Sequence, residues 1–401
     1  MNSWGEGKVP VKLDLCNNAA IDLLENPVWK DGLYANCTAA MLSDVASSPA
    51  NLSVGAVATR VVYTTRKICI GAIVDISLQC GKRMYCNLAI LAAVLFHALS
   101  AAASAPQVRT QGPGFYRIMV GDFEITALSD GTHPFPIDTV IQNVSKQDIA
   151  FDLSRASLTM PVQGSINAFL INTGSKLILI DSGAGVLYGA CCGQLMANLR
   201  AAGYTPDQVD EVLLTHLHKD HVGGIILDGK MAFPNAVLRV SRTEAAYWLT
   251  PANKGAAPPF LGSFFDSAVA SVAPYIDAGQ FKPFADDEQI ETGIRAAIAP
   301  GHTPGHAIYY IESRADTLLV WGDIVHVAAI QLQQLLATVE YDNDAAAAQR
   351  SRRELLQMAA TKHYLIGAAH IAFPGLGHMR ANGTTYDWIP VNYDTTLSKS
   401  Q

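Results

Sequence analysis

The residues best suited to chemistry in this chain lie close together: Thr215-His216-Leu217-His218-Lys219-Asp220-His221 places three imidazoles and a carboxylate within six positions. Neutral imidazole nitrogen and carboxylate oxygen are the ligands that zinc and similar divalent ions take, and a catalytic site keeps one coordination position open for water. The cluster holds more donors than one such ion with an open position needs. Read as a mere polar loop, it would crowd four titratable groups with no partner, which is costly.

The elements around the cluster explain how further ligands could reach it. Tyr116 to Val120 and Phe123 to Leu128 read as strands joined at Gly121-Asp122, a turn-forming pair. Asn167 to Asn172 and Lys176 to Ile180 flank Thr173-Gly174-Ser175, and the apolar run ending at Ile180 predicts a buried strand with Asp181 at its C-terminal end. Gln194 to Ala202 reads as a helix stopped by Gly203, and Thr205-Pro206-Asp207-Gln208 as a capping box.

Strand-like runs recur at Glu211 to Leu214, Val237 to Val240, Ile294 to Ala299, Thr317 to Trp321 and Tyr364 to Gly367, with a helix-like Ala345 to Ala360. The alternation predicts a layered α/β domain. Several of these strands run into His216, His302, Asp323 or His370, so their ends should share one rim.

On these residues the chain resembles the metallo-β-lactamase superfamily, whose H-x-H-x-D-H pattern is matched in full. Gly301-His302-Thr303-Pro304-Gly305-His306 is similar to that family's second ligand loop, Trp321-Gly322-Asp323 to its bridging-carboxylate strand end, and Ala369-His370 to its final ligand. The resemblance implies an α/β fold, the αββα sandwich of two central mixed β-sheets flanked by helices. It also implies two divalent metal ions, zinc foremost: His216, His218 and His302 on one, Asp220, His221 and His370 on the other, and Asp323 bridging them.

Within that superfamily, Ala105 to Thr110, Gly121 to Gly131 and Pro390 to Tyr393 resemble the methyl parathion hydrolase family, a likeness that spans nearly all of residues 105 to 394. The resemblance implies hydrolysis of organophosphate triesters by a metal-bridging hydroxide, with Asp323 and Asp220 as the side chains at the reaction. Trp248, Phe264 and Tyr188 match positions that line an aromatic leaving-group pocket. Tyr188 departs from that family's Phe, and the loop between Trp248 and Phe264 is one residue shorter.

The rival reading is a lactonase or arylesterase, acyl-homoserine lactones included, with promiscuous phosphotriesterase activity. A non-catalytic metal-binding module is disfavoured by the complete ligand set. Asp181 is expected to orient a ligand histidine from behind, since such histidines usually donate their second N–H to a carboxylate or carbonyl. His306, His326, His363 and His378 are read as hydrogen-bonded structural residues.

No G-x-S-x-G, H-E-x-x-H or phosphate-loop pattern competes with this reading. Residues 1 to 105 hold 8 Lys and Arg against 7 Asp and Glu, leaving 20 against 28 beyond, so no basic stripe recruits nucleic acid. The expected partner is a small ester, lactone or phosphotriester, and the resemblance adds a homodimer.

Cys191 and Cys192 are the only cysteines after residue 105, and no disulfide framework is expected. Lys82-Arg83-Met84, the apolar run Leu88 to Phe96 and Ala101 to Ala105 together resemble a secretory signal. The expected organisation is therefore an N-terminal extension at 1–83 outside the mature protein, a signal-like segment at 84–105 and a hydrolase domain at 106–401. The mature enzyme would be periplasmic or secreted and free of stable membrane association.

Overall fold

The computed structural model of the protein describes residues 105–397. The expected extension at 1–83 and all but the last residue of the signal-like segment lie outside the described residues.

Two sheets carry the fold. In the first, the opening hairpin pairs β1 (Phe115–Val120) with β2 (Phe123–Phe135), followed in order by β3 (Val162–Asn172), β4 (Leu177–Ile180), β5 (Glu211–Leu213) and β6 (Val237–Arg239). The strands from β1 to β4 pair antiparallel, and those from β4 to β6 pair parallel. The second sheet runs β7 (Gln289–Glu291), β8 (Ile294–Ile298), β9 (Ala307–Ser313), β10 (Asp316–Val320), β11 (Leu365–Gly367), β12 (Leu376–Asn382) and β13 (Thr385–Pro390). Its single parallel pair is β10 with β11.

β4 shows why the sheets stack. Its four residues, Leu177-Ile178-Leu179-Ile180, are all buried: Ile178 and Ile180 face Phe169, Leu213 and the second sheet's Tyr309 and Leu318, whereas Leu177 and Leu179 face a helical layer. A strand covered on both sides reads as an unbroken apolar run. Each such side chain contributes about 1.5–3 kcal/mol on leaving water.

The helical layer on the first sheet consists of α1 (Leu195–Ala201), α2 (Arg242–Trp248) and α3 (Gly262–Asp277), which bury Leu195, Leu199, Trp248, Phe265 and Val272. α4 (Ala345–Lys362) covers the second sheet through Leu355, Leu356 and Ala359. The result is the αββα sandwich with two mixed sheets. Among the described residues, no helix is long and apolar enough to cross a membrane.

Local sequence explains most of the element ends. Ser241 caps α2 by accepting from the Glu244 N–H, Asp344 caps α4 by accepting from Ala347, and Gln208 accepts from the Thr205 N–H as the capping pattern predicts.

The elements without a clear pattern were β9, the β12–β13 hairpin, α2 and α3. α3 is rich in Ala and Ser, which blur its apolar face at Phe265, Ala268, Val272 and Tyr275. β12 is exposed over much of its length, β13 is half-buried up to its last two residues, and neither carries clear alternation.

β2 runs seven residues further than the expected end at Leu128. A bulge between Ser129 and Gly131 lets pairing with β3 resume, and Gly131 adopts φ 142° there.

Candidate metal centre

Parallel pairing puts the C-terminal ends of β4 and β5 on one edge of the first sheet, and those of β10 and β11 on one edge of the second. Asp181 follows β4, His216 lies three residues beyond β5, Asp323 three beyond β10 and His370 three beyond β11. His218 is the N-cap of the single helical turn Lys219–Val222, which presents Asp220 and His221. His302 enters from the turn after β8. All seven expected ligands are buried and converge.

They do so as two groups whose donor atoms lie within 4.8 Å of one another: His216, His218, His302 and Asp323 in one, Asp220, His221 and His370 in the other. Asp323 contacts both groups, and His370 Nε2 lies close to both of its oxygens, 3.2 Å from Oδ2. Oδ1 lies 3.0 Å from His221 Nε2 and 3.1 Å from His370 Nε2, and Oδ2 lies 3.2 Å from His302 Nε2 and 3.7 Å from His216 Nε2.

The imidazoles are anchored from behind, on the nitrogen that faces away from the cluster. His221 Nδ1 meets Asp181 Oδ2 at 2.8 Å, His302 Nδ1 meets Asp342 Oδ1 at 2.8 Å, and His370 Nδ1 donates to the Ser165 carbonyl at 2.9 Å. A proton fixed on Nδ1 leaves the Nε2 lone pair pointing at the carboxylate. Asp181 also accepts from the Thr215 N–H and hydroxyl, and it holds φ 60°, a left-handed conformation that Asp tolerates better than most residues.

A cation is what this arrangement lacks a substitute for. His216 Nε2, His221 Nε2 and Asp323 Oδ1 are buried without a hydrogen-bond partner, and His218 turns its Nδ1 to His302 Nε2 at 3.0 Å. Such orphaned atoms are rare in native structures, and converging nitrogen and carboxylate lone pairs repel unless positive charge sits between them. The donor set fits two divalent ions.

Without metal, protons take that role. Burial lowers the pKa of His302, but hydrogen bonds and charge from Asp323 and Asp342 outweigh it and raise it to about 9. His221 and His370 are raised in the same sense against burial, chiefly by Asp323. His216 and His218 go down, through burial and then through their positive neighbours. Burial pushes Asp323 up, yet the surrounding imidazoles hold it well below the usual carboxylate range.

His302, with its pKa at about 9, therefore carries at neutral pH a proton that a metal must displace. Metal affinity is expected to rise with pH up to about 9, by about tenfold per pH unit for each proton displaced. Chelator competition at about pH 6.5 and about pH 8.5 checks this, and an affinity independent of pH would contradict it.

The expected pocket residues are placed differently from one another. Tyr188 lines a cavity of about 210 Å³ beside Asp220 and Asp323, with Phe264, Phe135, Tyr341, His133 and His326 completing the wall. The Tyr188 hydroxyl donates to Asp220 Oδ1 at 3.3 Å, and burial together with Asp220 raises its pKa well above the usual value, so it stays a phenol. Phe264 packs edge-on against His218, with ring centroids 5.1 Å apart. Trp248 is fully buried one layer back, its ring 5.2 Å from His218 and outside the cavity lining.

Sequence reasoning left several participants unassigned. Asp342 anchors His302 from 40 residues away in the chain and has no local pattern to betray it. His326, read as structural, has neither ring nitrogen in a hydrogen bond, places Nε2 3.0 Å from Asp323 Oδ2 and stacks on His370. His306 is a brace: its Nε2 accepts from the Asp323 N–H at 3.0 Å, and burial pushes its pKa down to about 3. His363 ends α4 in a left-handed conformation, and exposed His378 meets the Tyr364 carbonyl.

Comparison with known proteins agrees with this geometry. A family model described as the metallo-beta-lactamase superfamily matches residues 161–370. Among solved structures, the chain is similar to hydrolase AbOPH of the beta lactamase superfamily, with 38% identity and a TM-score of 0.69, covering 71% of this chain and 100% of that one. It shares its fold with AidC, a dizinc quorum-quenching lactonase solved with an N-hexanoyl-L-homoserine product, at 24% identity and a TM-score of 0.66 over 70% of this chain and 99% of that one.

Among curated proteins, it is 30% identical over 166 residues to the N-acyl homoserine lactonase AiiA of Bacillus thuringiensis subsp. kurstaki, which is 36% of this chain and 57% of AiiA. It is 29% identical over 158 residues to the beta-lactamase-like protein 2 homolog of Drosophila melanogaster, 37% of this chain and 44% of that protein. The chain thus spans about half the length of the curated relatives it matches.

Proposed function

The chain belongs to the metallo-β-lactamase superfamily, and on that premise we propose that it is a binuclear metal-dependent hydrolase of small carboxylic esters and lactones. The observation that carries this reading is Asp323, whose carboxylate lies between the two groups of buried imidazoles and contacts members of both. When bound, two divalent ions supply Lewis-acid polarisation of the substrate's reacting oxygen and acidify water.

The chain's own residues do the rest. Asp181 and Asp342 orient His221 and His302, and Ser165 orients His370, so that the ligand nitrogens are preorganised. Tyr188 keeps its proton beside Asp220, and its O–H, turned from Asp220, would donate to an oxygen of the substrate that gains negative charge. Phe135, Phe264 and Tyr341 exclude water from the cavity, which strengthens every electrostatic contact inside it.

The sequence resemblance places phosphotriesters first, with lactones and esters as the rival, and the shape of the cavities supports the rival. The 210 Å³ space admits a compact polar head, with donors at Tyr188 and His326 in its wall. A second cavity of about 730 Å³ abuts it at Phe135 and His326, with Leu158, Val162, Leu332 and Trp388 among its walls. A small ring or ester head with an apolar tail suits that pair of spaces. The aromatic ring around the first cavity favours a second reading, a phosphotriester with an aryl leaving group.

The test is a panel of an acyl-homoserine lactone, an aryl ester and a paraoxon-like triester on metal-loaded protein. The expected result is a kcat/KM for the lactone or ester at least about tenfold above the triester, a difference of about 1.4 kcal/mol. The reverse order makes the phosphotriester reading correct, and no hydrolysis of any of the three overturns both. We further place the mature enzyme in the periplasm or outside the cell, on the strength of the segment at 84–105.

A further inference from the structure

The geometry points to Glu244 as a positioning residue that clasps together the two ligand loops of the metal position formed by His216, His218 and His302. The inference rests on the metal reading above, and its evidence lies outside the ligand set.

Glu244 sits in the first turns of α2 with no exposed surface. Its Oε1 accepts from the Leu217 N–H at 3.0 Å, the backbone link between His216 and His218. Its Oε2 accepts from the Thr303 hydroxyl at 2.7 Å and from the Gly305 N–H at 3.0 Å, the turn immediately after His302. One carboxylate thus ties together backbone segments that are 27 and 61 residues away from it.

The clasp is closed from a second side by Ser241, which accepts from the Glu244 N–H and donates to the Gly305 carbonyl at 2.8 Å. A Cβ at position 305 would lie 2.2 Å from the Glu244 nitrogen, so only glycine lets the His302 turn approach the helix this closely.

A buried carboxylate costs free energy unless it is paired or fully hydrogen-bonded. Among the described residues, no Lys or Arg forms an ion pair with Glu244, and its three donors are the two ligand loops themselves. The carboxyl group is therefore held by bonds that exist only when both loops are in register. This is the arrangement that outer partners of metal ligands use to set ligand orientation.

Glu244→Gln is nearly isosteric but turns an N–H pair toward either Leu217 or the Gly305 turn, where an acceptor is needed. Thr303→Val removes only the hydroxyl donor and serves as the milder variant. Both are compared with wild type by metal stoichiometry, chelator competition and the visible absorption of the cobalt-loaded protein, with circular dichroism as the control for folding.

The expected result is about 10–100-fold weaker binding of one ion in Glu244→Gln, an altered cobalt spectrum, a smaller loss in Thr303→Val and unchanged binding of the other ion. Wild-type affinity and spectrum in either folded variant overturn the inference, as does a lowered melting temperature with metal binding unmoved. A wild-type protein that takes up no metal overturns the underlying reading and this inference together, whereas wild type with two ions and variants with two equally tight ions overturns only the latter.

Discussion

Asp323→Ala is expected to lower turnover by at least about 10³-fold, because the several kcal/mol of transition-state charge stabilisation that paired ions supply depends on both being held. Among the described residues, Asp323 is the one side chain whose oxygens contact both imidazole groups, with contacts of 3.0 and 3.1 Å on Oδ1 and 3.2 Å to His302 on Oδ2. Its loss also removes the negative charge around which His221, His302 and His370 are gathered.

The fold should persist. Asp323 belongs to none of the hydrophobic clusters, and its backbone N–H still meets His306. Circular dichroism of the wild-type form with metal content well below two ions per chain is the expected outcome. A variant that keeps both ions and turns over within tenfold of wild type would contradict the bridging role.

Asp181→Asn is expected to have the next largest effect, through a tautomer. The Asn oxygen can still accept from Thr215, and Asn tolerates the left-handed backbone at this position, so stability changes little. Its amide N–H, however, faces His221 Nδ1, where Asp181 now accepts at 2.8 Å. The imidazole must then accept on Nδ1 and carry its proton on Nε2, the nitrogen 3.0 Å from Asp323. That proton blocks the lone pair a metal needs.

Affinity for one ion is expected to fall about 10–100-fold, the usual cost of losing an outer partner of a ligand, with the melting temperature nearly unmoved. Unchanged affinity would mean that Asp181 is only a turn-capping residue.

The candidate ligands were legible because a short-range cause places them. A hydrophobic strand ends, the chain turns, and a His or Asp follows at once, as at Leu213 to His216, Val320 to Asp323 and Gly367 to His370. Asp181 was legible for the same reason at the end of β4. The sandwich itself follows from runs such as Leu177 to Ile180, which must be covered on both faces.

Apart from Tyr188 and Phe264, the cavity wall was not legible, because no local pattern encodes it. Phe135 and His133 reach the site because the bulge at Ser129 and Gly131 lets β2 continue past Leu128, where the apolar pattern stops. Asp342 and Tyr341 arrive from a segment whose neighbours in sequence do no chemistry, and the bond from Asp342 to His302 exists only once the second sheet has closed. Trp248 illustrates the opposite limit: an aromatic at the right place along the chain packs behind His218 and leaves the wall to Phe264 and Tyr341. Distances across the fold decide these roles, and they depend on how layers pack.

The most direct test of the binuclear centre is elemental analysis of protein stripped with chelator and reloaded by titration, read against hydrolysis of the preferred substrate. The account predicts that two equivalents of a divalent ion bind per chain, that activity returns with them, and that Asp323→Ala fails to reach the second equivalent. Saturation at one equivalent with full activity, or full activity in the stripped protein, would contradict it.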